Sequence, residues 1–183
     1  ADASLRSASG QTALELAEGQ EQYAAASVLR RHAANPAGGS IALPNAIVQA
    51  ARKGKEREVA AWLKQGGQVD ACFRLTAGNS VTLLMFAAHS GRASFVRLLL
   101  QRKASIDLQD DLGSTALMNA AGEGHAALVQ ALLDAGADAS LRSNGGNTAL
   151  HFAEHKQHEA TAALLRKHAA TRASKVAAEL PEA

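Results

Sequence analysis

Apolar and polar positions recur along this chain with a period of 33 residues. Three consecutive stretches, residues 77–109, 110–142 and 143–175, align without a gap. In each stretch a threonine precedes a short apolar run, a break of a few polar residues follows, and a second apolar run has leucines at helical spacing. Each stretch therefore predicts two helices joined by a short turn. Because one such pair cannot bury its apolar face alone, the copies are expected to stack into a solenoid.

The stretch 110–142 shows how the pattern specifies its own helix boundaries. Thr115 precedes the first apolar run, where its hydroxyl can accept a free N–H of the first turn. Gly124 follows that run and suits the left-handed residue that ends a helix. The second run places Leu128, Val129 and Leu132 on one face. Turn residues after the second run then predict a projecting hairpin.

Upstream of these copies the frame continues with less regularity. Residues 40–72 fit it but lack the threonine and carry a charged surface, which is typical of a terminal repeat. The frame then slips by four residues, so residues 73–76 are an insertion, and insertions in such arrays fall in the hairpin.

Residues 1–39 form one more copy, and residues 1–34 match residues 137–170 at 20 of 34 positions. We infer a duplicated block of repeats in the parent protein. Either all copies stack continuously or the stack breaks near residues 35–40, where Pro36 and two glycines stand. The chain begins at Ala1 in the middle of the pattern, so we expect a fragment from which a targeting segment can be missing.

The period, the T-x-L-x-x-A-A opening, the central G-H and the G-A-D ending resemble the ankyrin repeat between Ala77 and Ala170. The resemblance implies an all-α ankyrin solenoid of about five helix-turn-helix repeats with projecting β-hairpin fingers, followed by a tail at residues 176–183. One departure is that Met85 and Met118 replace the histidine of the family opening, while His151 keeps it. In the family this imidazole ties its own helix start to a neighbouring hairpin.

Composition and charge narrow the possible functions. Apolar residues make up 47% of the chain, aromatic residues only 3%, and the formal net charge is +2. This near-balance does not favour nucleic acid as a partner, and no apolar run has the roughly 18 residues of a membrane span. The single cysteine, Cys72, cannot form an internal disulfide. We expect an intracellular, cytoplasmic or nuclear protein.

The segment His151–His155 reads H-x-x-E-H, the inverted zinc-protease signature. Zinc would need a third protein ligand, and the repeat pattern already explains His151. The surroundings therefore favour coincidence, and we expect no metal, no other cofactor and no catalytic residue.

The insertion has two interpretations. Phe73 and Leu75 flank Arg74, and an exposed tip of this kind would make an interface hot spot. Alternatively, Phe73 and Leu75 pack locally within a longer hairpin.

The function implied by the resemblance is binding of a protein or peptide partner through the concave face and the finger tips. Three alternatives stay open: a regulatory or targeting module of a larger enzyme, self-association through the similar end repeats, and weak binding of nucleic acid. Transferred position by position, with the insertion added, the expected contacts are Arg52, Lys53, Phe73, Arg74, Leu75, Asn79, Val81, His89, Ser90, Asp111, Leu112, Glu123, Arg142, Asn144, His155 and Lys156.

Overall fold

The computed structural model describes Thr12, residues 43–75 and residues 78–179, with side chains described as far as residue 172. Within these ranges eight helices form four successive pairs, and one two-stranded hairpin stands between the first and second pairs. This arrangement of helix pairs confirms the predicted fold class. The elements are α1 (Asn45–Arg52), α2 (Glu56–Lys64), β1 (Cys72–Arg74), β2 (Ser80–Thr82), α3 (Leu83–His89), α4 (Ala93–Gln101), α5 (Ala116–Gly122), α6 (Ala126–Asp134), α7 (Ala149–His155) and α8 (Glu159–Glu179).

Each of the four helix pairs begins inside one of the predicted segments 40–72, 77–109, 110–142 and 143–175, and the first three pairs also end there. Some predicted features lie outside the described residues. They are the copy in residues 1–39 apart from Thr12, its junction at 35–40, the insertion residue Thr76 and the last four residues of the tail. Helix α8 continues through residue 175 to Glu179, so the last predicted repeat and the first part of the predicted tail share one helix.

Threonine starts the first helix of the second, third and fourth pairs, as the pattern predicts. The Thr82 hydroxyl accepts the N–H of Met85 at 3.3 Å, and the Thr115 hydroxyl accepts the N–H of Met118 at 3.2 Å. In the fourth pair His151 Nδ1 accepts the N–H of Thr148 at 3.4 Å. These bonds satisfy donors that a helix start leaves without an intrahelical partner. His151 thus ties its own helix start.

The core consists of small residues between first helices and leucines on the second helices. Helix α5 packs against both α3 and α7, and alanine at these contacts lets the helix axes approach closely. Leu99 and Leu132 are fully buried on α4 and α6. The buried alanines of the first helices are Ala50, Ala51, Ala87, Ala88, Ala116, Ala120, Ala121, Ala149 and Ala153.

In the second, third and fourth pairs, a side chain that precedes the second helix binds the end of the preceding pair's first helix. His125 Nε2 lies 3.1 Å from the His89 carbonyl oxygen, and His158 Nε2 lies 3.2 Å from that of Gly122. Because a carbonyl oxygen only accepts, Nε2 carries the proton in both rings. Arg92 occupies the same repeat position and donates to the carbonyls of Ala51 and Arg52. We call Arg92, His125 and His158 the inter-repeat links.

In two of these links the histidine ring packs closely against a glycine of the preceding pair. Gly91 and Gly124 have φ angles of 68° and 72°. A Cβ atom added to Gly91 would lie 2.7 Å from the His125 ring, and one added to Gly124 would lie 2.6 Å from the His158 ring. Gln157 stands at the equivalent position of the fourth pair with φ 61°. Glycine therefore serves both the left-handed turn and the close approach of the following pair's imidazole.

The β1–β2 hairpin decides between the two interpretations of the insertion. Its antiparallel register pairs Phe73 with Val81, so these side chains share one face of the ribbon. That face is turned to the core, where Phe73 is 6% exposed and packs edge-on against Phe86 with ring centroids 5.6 Å apart. The expectation of Phe73 and Val81 as exposed contacts is therefore wrong. Leu75 is also partly buried against the core, and the insertion packs locally.

Carboxylates tie the loops that follow the second helices. The Asp70 carboxylate accepts the N–H of Ser105 at 3.0 Å and its hydroxyl at 2.6 Å. Asp107 Oδ1 accepts the N–H of Asp138 at 3.0 Å. Asp138 in turn accepts from Ser140 and, at 3.1 Å, from the Arg172 guanidinium. Each loop is thereby fixed relative to the next pair.

The contact between Asp138 and Arg172 is expected to make the stability of the fold depend on pH. Burial alone would raise the pKa of Asp138, but the hydrogen bonds from Ser140 and the guanidinium of Arg172 hold it below the ordinary value. A lowered folded-state pKa contributes stability above the unfolded-state pKa of about 3.9, and this contribution is lost as the pH falls through the folded-state pKa.

We expect Arg172→Ala to raise the pKa of Asp138 toward the ordinary value, and Arg172→Lys to raise it less because a positive charge remains. Titration of the Asp138 carboxyl carbon by NMR measures both. A carboxyl pKa that is the same in the alanine variant and the parent would contradict a role for Arg172.

Candidate protein-binding surface

Thirteen of the sixteen expected contact residues form two rows that repeat from pair to pair, and all thirteen are exposed except the half-buried Asn79. The helix-end row lies at the carboxyl ends of the first helices and comprises Arg52, Lys53, His89, Ser90, Glu123, His155 and Lys156. The finger row lies on the projecting loops and comprises Arg74, Asn79, Asp111, Leu112, Arg142 and Asn144. We call the two rows together the finger face.

The helix-end row carries mixed charge along its length. Arg52 and Lys53 are exposed cations at the first pair, and Lys156 is one at the fourth. Between them, His89 Nδ1 lies 3.5 Å from Glu123 Oε1, with side chains 57% and 44% exposed. An exposed pair of this kind adds little stability, so these side chains are available to a partner.

The finger row is linked across repeats by hydrogen bonds. The Ser80 N–H donates to Asp111 Oδ2 at 2.8 Å, which joins the second pair's finger to the third's. The Asn144 N–H donates to the Leu112 carbonyl at 2.9 Å, and its side-chain amide donates to the Asp111 carbonyl at 3.0 Å. Buried Gln109 donates to the carbonyls of Gly113 and Arg142 at 2.6 and 2.7 Å. The three fingers therefore hold one another in place.

Leu112 stands at the tip of the middle finger. Its side chain is 60% exposed, the one large hydrophobic residue so exposed among those that the structure describes. Its backbone is fixed on both sides, because its N–H donates to Asp110 Oδ1 at 2.9 Å and its carbonyl accepts from Asn144. A backbone fixed in this way has little conformational entropy left to lose when a partner covers the side chain.

A groove with a volume of about 710 Å³ lies between α1 and the β1–β2 hairpin. It brings together four of the expected contact residues, Arg52, Phe73, Arg74 and Asp111. Phe73 contributes to it from a buried position. The other residues that line the groove are Leu43, Asn45, Val48, Gln49, Cys72 and Ser80.

Two side chains of the motif at His151–His155 are bound to neighbouring residues. His151 binds Thr148, and Glu154 accepts from the Arg166 guanidinium at 2.6 Å. The hydrogen bond to Glu154 raises the pKa of Arg166. His155 is exposed at the end of its helix. In the part of the chain that the structure describes, no three His, Cys, Asp or Glu side chains are grouped to hold a metal ion.

Two features of the structure were not predicted from the sequence. Asn45 and Gln49 precede Arg52 by seven and three residues, a helical spacing that places them on one exposed face of α1. That spacing could have revealed them. The inter-repeat links could also have been found, because Arg92, His125 and His158 are 33 residues apart. The periodicity gives their equivalence, whereas the carbonyls that they bind are visible only in the structure.

Comparison with known proteins adds one positive finding. A family model described as "Ankyrin repeats (3 copies)" matches residues 47–143 and 84–175. No curated protein matches the chain. None of the helices in the described residues is long and apolar enough to cross a membrane.

Proposed function

This chain belongs to the ankyrin-repeat family, and from that premise we propose that it is a non-catalytic scaffold whose finger face binds a protein or peptide partner. Ankyrin repeats are generally protein-interaction modules. The finger face is the surface of this chain that the repeat presents in several copies at fixed spacing, and a partner that contacts several copies gains affinity from each.

The observation that carries the proposal is Leu112 on its hydrogen-bonded finger. Exposed apolar residues are common on protein surfaces and need no partner. Leu112 differs because its backbone is anchored to Asp110 and Asn144, so the finger holds the base of its side chain in one place. An interface hot spot is surrounded by contacts that contribute little energy themselves but exclude water from it. Asp111 and Asn144 lie beside Leu112 and can form such contacts.

We expect Leu112→Asp to reduce partner capture at least tenfold, because a carboxylate would have to be desolvated in the interface. The tagged chain would be used to capture proteins from the cells that express it, with the retained proteins quantified by mass spectrometry. Stability should change by less than about 0.5 kcal/mol, since the side chain is exposed.

Ala127→Asp is the matched control, because it introduces the same charge at an exposed position on α6, outside the finger face. It should retain the same proteins as the parent chain. Equal capture by the parent and both variants would show that the retained proteins do not bind through the middle finger.

A further inference from the structure

The groove between α1 and the β1–β2 hairpin has an apolar floor. Leu43, Val48 and Phe73 line it and are 5%, 9% and 6% exposed. Its volume of about 710 Å³ lies within the roughly 300–1,000 Å³ of typical ligand pockets. The atoms of these residues that line the groove can contact an aliphatic side chain. Stacking on a nucleic-acid base would need an exposed aromatic face, which Phe73 does not offer.

The walls of the groove carry an excess of positive charge. Arg52 is exposed on α1, and Arg74 is exposed on β1, where its Nη1 donates to the Gly78 carbonyl at 3.3 Å. The one carboxylate in the lining, Asp111, already accepts the N–H of Ser80. Guanidinium groups bind carboxylates through paired, charge-assisted hydrogen bonds. The two arginines stand on opposite walls, one on the helix and one on the hairpin.

Amide side chains complete the wall on α1. Asn45 and Gln49 are exposed there beside Arg52. Each amide group can both donate and accept, which matches the N–H and C=O groups of a peptide backbone. A simple inorganic anion, which only accepts hydrogen bonds, offers no such complement.

Resting on the proposed function, we propose that this groove binds an acidic peptide segment of the partner. Carboxylates of the peptide pair with Arg52 and Arg74, an aliphatic side chain covers Val48 and Phe73, and the backbone bonds with Asn45 and Gln49. The finger face thus has an acidic-peptide subsite at the first helix pair, distinct from the Leu112 contact at the third.

The test uses a fluorescent peptide of sequence Gly-Glu-Asp-Leu-Glu-Asp-Gly and the full chain. Anisotropy should show saturable binding that weakens as salt is raised. Arg52→Glu combined with Arg74→Glu should weaken binding at least tenfold and should favour a peptide with lysine in place of each acidic residue. Lys64→Glu combined with Arg97→Glu makes the same charge change at exposed positions on α2 and α4 and should leave affinity within twofold.

Cys72 supplies a second readout that needs no mutation. It is the single cysteine of the chain and lines the groove. Bound peptide should therefore slow its reaction with a thiol reagent, in proportion to the occupancy measured by anisotropy. Circular dichroism of each variant shows that the helices are retained.

Several results would overturn the proposal: no saturable binding, equal affinity for a peptide with Gln and Asn in place of Glu and Asp, or equal binding by both double variants. Tighter binding of an oligothymidine through the same arginines would assign the groove to nucleic acid instead. Loss of partner capture in Leu112→Asp without any acidic-peptide binding would remove this subsite alone. Acidic-peptide binding with unchanged capture in Leu112→Asp would instead remove the Leu112 contact.

Discussion

Leu99→Ala is expected to lower the free energy of unfolding by about 2–5 kcal/mol, the usual cost of a leucine-to-alanine change in a packed core. Leu99 is fully buried on α4, in a cluster that includes Leu84 and Phe95. The truncation removes apolar contacts and leaves a cavity that neighbouring helices cannot close without moving. Urea unfolding followed by circular dichroism measures the loss as a shift in midpoint.

Leu112→Ala is the matched control for this change. The same methyl and methine groups are removed, but from a side chain that is 60% exposed, so the stability should change by less than about 0.5 kcal/mol. Similar losses in the two variants would mean that Leu112 is packed and would remove the main support for the Leu112 contact. A loss below about 1 kcal/mol in Leu99→Ala would instead show that the core is not packed as described.

Gly124→Ala is expected to lower the free energy of unfolding by about 1.5–3.5 kcal/mol for two separate reasons. A non-glycine residue in the left-handed region costs about 1–2 kcal/mol. The new Cβ would also lie 2.6 Å from the His158 ring, which forces the ring away and weakens its hydrogen bond to Gly122, worth about 0.5–1.5 kcal/mol. Chemical unfolding measures the sum.

Gly136→Ala separates the two contributions. Gly136 has φ 93°, but nothing lies within 4 Å of an added Cβ, so only the backbone cost remains. Lys103 occupies the equivalent position of the preceding repeat with φ 63°, which shows that a side chain fits there. Combining Gly124→Ala with His158→Ala should cost less than the sum of the single changes, because the clash disappears. An additive result would exclude contact between Gly124 and His158 as the cause.

The elements that recur in the sequence were predicted well because each copy repeats the same physical requirement. Thr82 and Thr115 start helices in the structure as their positions predicted. Leu99 and Leu132 are buried at equivalent positions for the same reason. Where one copy gives an ambiguous helix assignment, the equivalent residues of the other copies resolve it. The helix pairs and their stacking could therefore be predicted from the period.

Features that occur once could not be predicted in this way. The insertion at residues 73–76 has no second copy, so the period cannot show which face of the hairpin Phe73 occupies. The β1–β2 register and the ring of Phe86 decide it. The groove escaped prediction because Arg52 and Arg74 lie in different elements, and sequence spacing does not show that α1 and the hairpin enclose a space.

The fourth helix pair differs from the second and third at the position where a histidine of the next pair packs. Gly91 and Gly124 each leave room for a ring supplied by the pair that follows, whereas Gln157 has a side chain at that place. A following helix pair with a histidine at the equivalent position would therefore meet the Gln157 side chain where the earlier links meet a glycine. Gln157→Gly would give the fourth pair the same open space that Gly91 and Gly124 give the pairs before it.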